Sequence, residues 1–164
     1  MNPSTLLLTA FFCILPISEL RGGLPYALAN GIPLVPSYLF CVFINLLVAP
    51  LVLLFLNSLH RLLSRIPLYC RLFDRIVSRA RRKIEAKVEK HGYWGLALFV
   101  GIPLPITGAY TGALGAWVLG MKPRKSILAI SAGVLIAGLV VAGVFYLVTE
   151  LGVEALKIFI KETG

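Results

Sequence analysis

The chain has 164 residues, 59% of them hydrophobic and only 14% charged, with a mean hydropathy of +0.90. Soluble domains run at about 45–50% apolar and about 25% charged, so a water-soluble fold of this size is excluded and lipid must solvate much of the surface of one membrane domain. The net charge of +9 does not argue for nucleic acid, because ten of the sixteen Lys and Arg lie between Arg61 and Lys90, beside hydrophobic stretches and without a recognisable nucleic-acid motif.

The first apolar block, Leu6 to Ser18, contains Pro16 and then meets Glu19-Leu-Arg-Gly-Gly-Leu-Pro25, after which a second short stretch runs from Tyr26 to about Val35. Spanning takes about 20 apolar residues, so the two arms read as a re-entrant hairpin broken at Gly22, Gly23 and Pro25. No Lys or Arg precedes Arg21 and no small-x-small site follows the first block, so a cleaved signal is not expected. Tyr38 to Leu56, interrupted only by Asn45 and Pro50, is long enough to cross.

Between Leu59 and Lys90, Leu72, Phe73, Ile76, Ala80, Ile84 and Val88 recur at helical period, with Arg71, Arg75, Arg79, Arg82 and Lys83 off that stripe. The pattern predicts a basic amphipathic helix on the membrane surface, where it contacts anionic lipid or serves as a solvated connector that sets topology. Tyr93 to Met121 is broken at Gly101-Ile-Pro-Leu-Pro-Ile-Thr-Gly108 and reads as a second hairpin, and Ser126 to Val148 is a full crossing rich in Gly and Ala. Broken hairpin, span, broken hairpin, span is the pattern of a transporter with internal repeats. Segment 59–92 and the cluster Lys122, Arg124 and Lys125 belong in the cytoplasm by their charge, which inverts the second half relative to the first; the rival topology, in which each broken block crosses fully, would put the two clusters on opposite sides.

Glu19 and Arg21 are the only charged residues before Arg61. At membrane depth they are costly and tend to face a cavity or a partner. The side chains could pair with each other, face one aqueous crevice, or fix hairpin depth at the outer interface. The Arg fork suits phosphate, and a carboxyl in a low-dielectric crevice suits a proton carrier. Gly22, Gly23 and Pro25 would expose N–H groups at a sharp turn. In the second hairpin Pro103 and Pro105 break the helix, and Thr107, Gly108, Tyr110 and Thr111 start the returning arm, whose N-terminus would offer free N–H groups to an anion. Gly108, Gly112, Ala116 and Gly120 form a small-residue stripe that also permits close helix packing. Cys13, Cys41 and Cys70 show neither zinc nor disulfide spacing, and His60 and His91 lack a partner set, so no metal, cofactor or catalytic site is expected and the chain is not expected to be an enzyme.

Glu19-Leu-Arg-Gly-Gly-Leu-Pro25, Pro103-Leu-Pro-Ile-Thr-Gly108 and Tyr110-Thr-Gly112 resemble the small multidrug export protein family, over about Leu6 to Val148. That family is similar, at a distance, to the DedA/VTT superfamily. The resemblance implies two opposed re-entrant hairpins and a role in moving lipids, including polyprenyl phosphates, in a proton- or ion-linked way. It implies an acidic residue in the first hairpin, for which Glu19 is the candidate. Many relatives also carry an Arg in the second hairpin, whereas this chain has none between Tyr93 and Met121, leaving Arg21 as the one deep cation.

The expected fold is therefore an all-α integral membrane protein of two inverted repeats (1–57 and 93–149), each a re-entrant helical hairpin followed by a transmembrane helix. The basic amphipathic segment 58–92 lies between them and a tail at 150–164 follows. The expected function is a dimeric, proton-linked transporter or flippase for an anionic lipid or small amphiphile in a prokaryotic cytoplasmic membrane. Its partners would be membrane lipids, protons or another coupling ion, and a second copy. A cation exporter and a non-transporting scaffold are the alternatives.

Overall fold

A computed structural model describes residues 2–66, 92–104 and 107–163, with side chains described through Leu151. Among the described residues there are no strands. The helices are α1 (Pro3–Ile14), α2 (Glu19–Ala29), α3 (Leu34–Leu63), α4 (Gly92–Gly101), α5 (Ala109–Val118) and α6 (Pro123–Thr163). Segment 67–91, which carries most of the predicted surface helix with Arg71, Arg75, Arg79, Arg82 and Lys83, lies outside the described residues, as do Pro105 and His91.

Local chemistry explains where the helices stop. Proline disfavours helical backbone in the residue before it, and Leu15, ahead of Pro16, is extended at φ −63° and ψ 128°. Pro103 likewise follows the end of α4. Both second arms end in the same way. At the end of α2, Ile32 N–H reaches Ala27 O at 3.1 Å and Gly31 N–H reaches Leu28 O at 3.0 Å, with Gly31 at φ 78°. At the end of α5, Met121 N–H reaches Ala116 O at 2.9 Å and Gly120 N–H reaches Trp117 O at 3.0 Å, with Gly120 at φ 65°. Each is a Schellman closure, in which a left-handed glycine ties off the last carbonyls. A proline then starts the long helix that follows, Pro33 before α3 and Pro123 in α6.

Three boundaries differ from expectation: α3 runs beyond Tyr38–Leu56 at both ends, α6 continues through the expected tail to Thr163, and the first break lies earlier. The first hairpin breaks at Leu15–Ser18 rather than at 19–25, and Glu19, Arg21, Gly22, Gly23 and Pro25 lie inside α2. Gly22 and Gly23 therefore make no turn. Gly23 is a packing glycine, since a Cβ there would lie 3.1 Å from Thr9 O and collide with Cys13 Sγ. At Gly22 a Cβ would meet the Ser18 side chain, its hydroxyl and, at 3.2 Å, its Cβ. Pro25 sits within the helix and leaves the Arg21 carbonyl without its usual donor.

At 1.5 Å per residue the 12-residue α1 is about 18 Å long, well short of a hydrocarbon core of about 30 Å, whereas the 30-residue α3 is about 45 Å. α3 and Pro123–Leu151 of α6 are long and apolar enough to cross, and only 33% and 39% of their most apolar windows are buried. The core helices of a soluble protein would be mostly covered. Here Leu39, Phe43, Leu51, Phe55, Leu128, Leu139 and Leu147 are all at least 59% exposed. Such continuous apolar surface belongs in lipid.

The core lies where both hairpins meet the long helices, around Cys13, Leu24, Cys41, Val100, Ala109, Ala113 and Ile130. Small residues set the spacing. A Cβ on Gly133 would lie 2.6 Å from Ala97 O of α4, and one on Gly138 would lie 2.7 Å from the Tyr38 ring of α3. Gly112 and Ala116 of the predicted small-residue stripe are buried, with Gly112 against Val100 of α4. Cys13 and Cys41 are free, buried thiols, in keeping with their reading as small apolar side chains.

Candidate functional site

The breaks of the two hairpins face each other, and polar side chains from each satisfy backbone groups of the other. α5 starts at Gly108, which has no side chain with which to cap a helix. The first N–H groups of a helix have no intrahelical partner, and apolar surroundings make that expensive. Glu19 supplies the missing acceptor from the other hairpin. Its Oε2 accepts from Ala109 N–H and its Oε1 from Tyr110 N–H, both at 3.2 Å. A carboxylate on two N–H groups at the positive end of a helix is favoured by charge and by dipole.

The local chain is arranged around this contact. Glu19 is 6% exposed and adopts φ 49°, the one left-handed non-glycine residue among the described residues. Such backbone costs on the order of 1–3 kcal/mol and persists only where surrounding contacts enforce it. Gly108 provides the space, since a Cβ on it would lie 2.6 Å from the Glu19 carboxyl carbon and collide with Oε2. Its backbone is extended, at φ −176°, so glycine is required there for room rather than for conformation. Thr111 completes the helix start by accepting from Gly108 N–H at 2.9 Å.

Arg21, one half-turn further along α2, also crosses to the second hairpin. Nη1 donates to Leu104 O, and Nη2 donates to Thr107 Oγ1 at 3.0 Å. Thr107 in turn ties up the broken segment, since its hydroxyl lies 2.8 Å from Ile102 O and 2.9 Å from Leu104 O and accepts from Leu104 N–H at 3.2 Å. A third link runs the other way, with Tyr110 Oη donating at 2.6 Å to Ile14 O at the end of α1. The Glu19 and Tyr110 links satisfy groups that the helix breaks would otherwise leave unpaired, and the Arg21 link adds a second donor to Leu104 O, which also accepts from Thr107 N–H at 3.3 Å.

Two expectations are corrected here. The N–H groups at the start of α5 are not free for an anion, because Glu19 occupies them. Gly22, Gly23 and Pro25 expose no turn amides, because they are helical. Glu19, Arg21, Thr107, Gly108, Tyr110 and Thr111 lie together at this junction, with Pro103 in the same break, while Pro105 lies outside the described residues.

Sequence reasoning missed two neighbours of this junction. Asn45 of α3 is 1% exposed and lines a small cavity with Glu19, Leu20, Arg21 and Gly108. An apolar groove of about 450 Å³ is lined by Ile44, Leu47, Leu51 and Phe55 of α3 together with Ile14 and Tyr110. His60, read as an interfacial residue, packs edge-on against Trp117 with ring centroids 5.5 Å apart, and Trp117 Nε1 donates to Asn57 Oδ1 at 2.8 Å. Among the described residues no group of His, Cys, Asp and Glu could hold a metal ion.

Residues 19–140 match the family model described as "Putative small multi-drug export protein". Neither the curated proteins nor the solved structures give a match to the chain.

Proposed function

Because the chain belongs to the small multi-drug export protein family, whose description carries an export role, we propose that it is a proton-linked membrane transporter gated where the two hairpin breaks meet. The observation that carries this reading is the Glu19 carboxylate on Ala109 and Tyr110 N–H. In this closed arrangement Glu19 takes the place of a substrate anion at the start of α5. Protonating the carboxylate removes its charge and turns one of its oxygens into a donor, which weakens both contacts. The two N–H groups and the positive end of α5 then become available to an external anion, with Arg21 beside them. One proton thereby exchanges for one negative charge of substrate, which is the stoichiometric basis of coupling.

The substrate class follows from the groove. Its apolar lining includes Tyr110, whose N–H is one of the two that hold Glu19, so a molecule with a hydrocarbon chain and a phosphate or carboxylate head fits better than a compact soluble ion. An anionic lipid of the polyprenyl phosphate kind meets that description. Short α1, α2, α4 and α5 support two re-entrant hairpins, and the matching Gly31 and Gly120 closures ahead of Pro33 and Pro123 support a repeat. The cytoplasmic placement of segment 59–92, the inverted relation of the halves, the prokaryotic cytoplasmic membrane and a homodimer are part of the same proposal, as is a non-enzymatic role. A cationic export substrate is the second reading, favoured by the buried Glu19 carboxylate, which would then be the binding group itself.

Protein in liposomes tests these readings with a fluorescent polyprenyl phosphate and a cationic dye, each under an imposed proton gradient. Movement of the phosphate that follows the gradient in wild type, and ignores it in Glu19→Gln, is the expected result. Gradient-driven movement of the dye alone would replace the anion reading with the cation reading. Equal proton dependence in Glu19→Gln would remove Glu19 from the mechanism.

A further inference from the structure

Among the described residues, the buried polar side chains are satisfied with one exception. Thr9 Oγ1 donates to Thr5 O at 2.8 Å, Ser37 Oγ to Ile32 O at 3.3 Å, and Ser126 Oγ to Lys122 O at 3.0 Å. Asn45 turns its Nδ2 to Cys41 O at 3.1 Å and, at longer range, to Cys13 O at 3.5 Å. Those two acceptors fix the orientation of the amide, because flipping it would set oxygen against two carbonyls. Asn45 Oδ1 is left buried without a protein donor. An unpaired acceptor in an apolar interior costs roughly 1–3 kcal/mol, so a ligand that donates to it is strongly favoured.

Asn45 lines the cavity that Glu19 and Arg21 also line. The space open to a water centre there is about 10 Å³, at the lower limit for one molecule and far too small for a lipid headgroup. The remaining hydrogen-bonding capacity matches water. Arg21 has five N–H donors and uses two, on Leu104 O and Thr107 Oγ1. Each Glu19 oxygen accepts one N–H and retains a lone pair. A single water can therefore donate to Asn45 Oδ1 and to Glu19 while accepting from Arg21. A metal cation of similar size would sit against the guanidinium, and charge opposes it.

From these observations we infer that Asn45, Glu19 and Arg21 form a binding site for one water molecule, and that this water is the proton donor to the Glu19 carboxylate. The occupancy stands on geometry and burial. The relay role rests on the proton-linked reading of Glu19. The balance is simple: the water accepts one proton from solvent in the same step as it passes one to a Glu19 oxygen, so it is left as water and no other reactant is consumed. Asn45 is a positioning residue that holds the water against the carboxylate.

Two measurements on the full-length protein test this. The first is a crystal structure from lipid mesophase at a resolution that shows ordered water. It should contain one solvent peak within about 3.2 Å of both Asn45 Oδ1 and a Glu19 oxygen. A dry cavity, or a peak out of reach of Glu19, overturns the inference. The second is the hydrogen–deuterium exchange rate of the protonated Glu19 carboxyl, read by infrared difference spectroscopy. Removing the acceptor in Asn45→Val should slow exchange by about tenfold, the equivalent of one hydrogen bond, and Asn45→Ser, which retains an oxygen, should restore much of it. A fall in Asn45→Val that Asn45→Ser largely reverses supports the relay, whereas unchanged exchange in Asn45→Val, or in Asn45→Ala if the valine variant does not fold, contradicts it, as does a fall in Asn45→Ser as large as in Asn45→Val. An ordered water together with proton-independent transport would overturn the transport reading and leave the site intact.

Discussion

Alanine at position 108 would place a methyl group 2.6 Å from the Glu19 carboxyl carbon, closer than any real contact of that kind. α5 is held on two sides, by α3 and by α6, so the carboxylate is the part that must move. Moving it gives up two hydrogen bonds from N–H to a charged acceptor, each of about 1.5–3 kcal/mol, so Gly108→Ala should cost about 3–6 kcal/mol. For a chain of this size that lowers Tm by at least about 6 °C. The background makes the prediction specific. In Glu19→Ala the added methyl meets no carboxylate, and Gly108→Ala should cost less than about 1 kcal/mol, which leaves a coupling of at least about 2 kcal/mol in the double-mutant cycle. Thermal unfolding in micelles, followed by circular dichroism on the four proteins, measures it. Gly115→Ala is the control, since a Cβ there meets nothing within 4 Å. If Gly108→Ala costs the same with and without the Glu19 side chain, the cap across the hairpins is not what that glycine serves.

Glu19→Gly loses the same cap as Glu19→Ala but relieves a left-handed φ, so it should be the more stable of the two variants by about 1 kcal/mol in the same unfolding assay. Arg21→Lys replaces a fork with a single point of charge and should lose one of the contacts to Leu104 O and Thr107 Oγ1, about 1.5–3 kcal/mol, and Thr107→Val should add much less in that background than in wild type. Tyr110→Phe removes the donor to Ile14 O and should cost about 1 kcal/mol while leaving the proton dependence of transport in place.

The long apolar blocks and their prolines were readable in the chain, and α3, α6 and the second break lie where those features put them. The first break was misplaced because Gly22, Gly23 and Pro25 look like a turn, yet Pro16 had already stopped α1 by forcing Leu15 out of helical backbone. Gly23 is small because α1 packs on it, a tertiary reason that local pattern does not distinguish from a turn. The Schellman closures have a local signature, Asn30-Gly31 and Leu119-Gly120 shortly before Pro33 and Pro123. The cap by Glu19 was harder, because it joins residues some 90 positions apart. A physical signal for it did exist. α5 starts in apolar sequence at a glycine that cannot cap it, and Glu19 is the one acid before Asp74. Asn45 gave no such signal, since one amide in a long apolar helix is equally consistent with helix packing.

Amide hydrogen exchange at Ala109 and Tyr110, followed by NMR across a pH series and corrected for intrinsic exchange, tests the central claim most directly. Protection of both amides should fall as Glu19 takes up its proton, and in Glu19→Gln it should be low and independent of pH. Protection in wild type that does not change with the charge of Glu19 would contradict a gate built on that carboxylate.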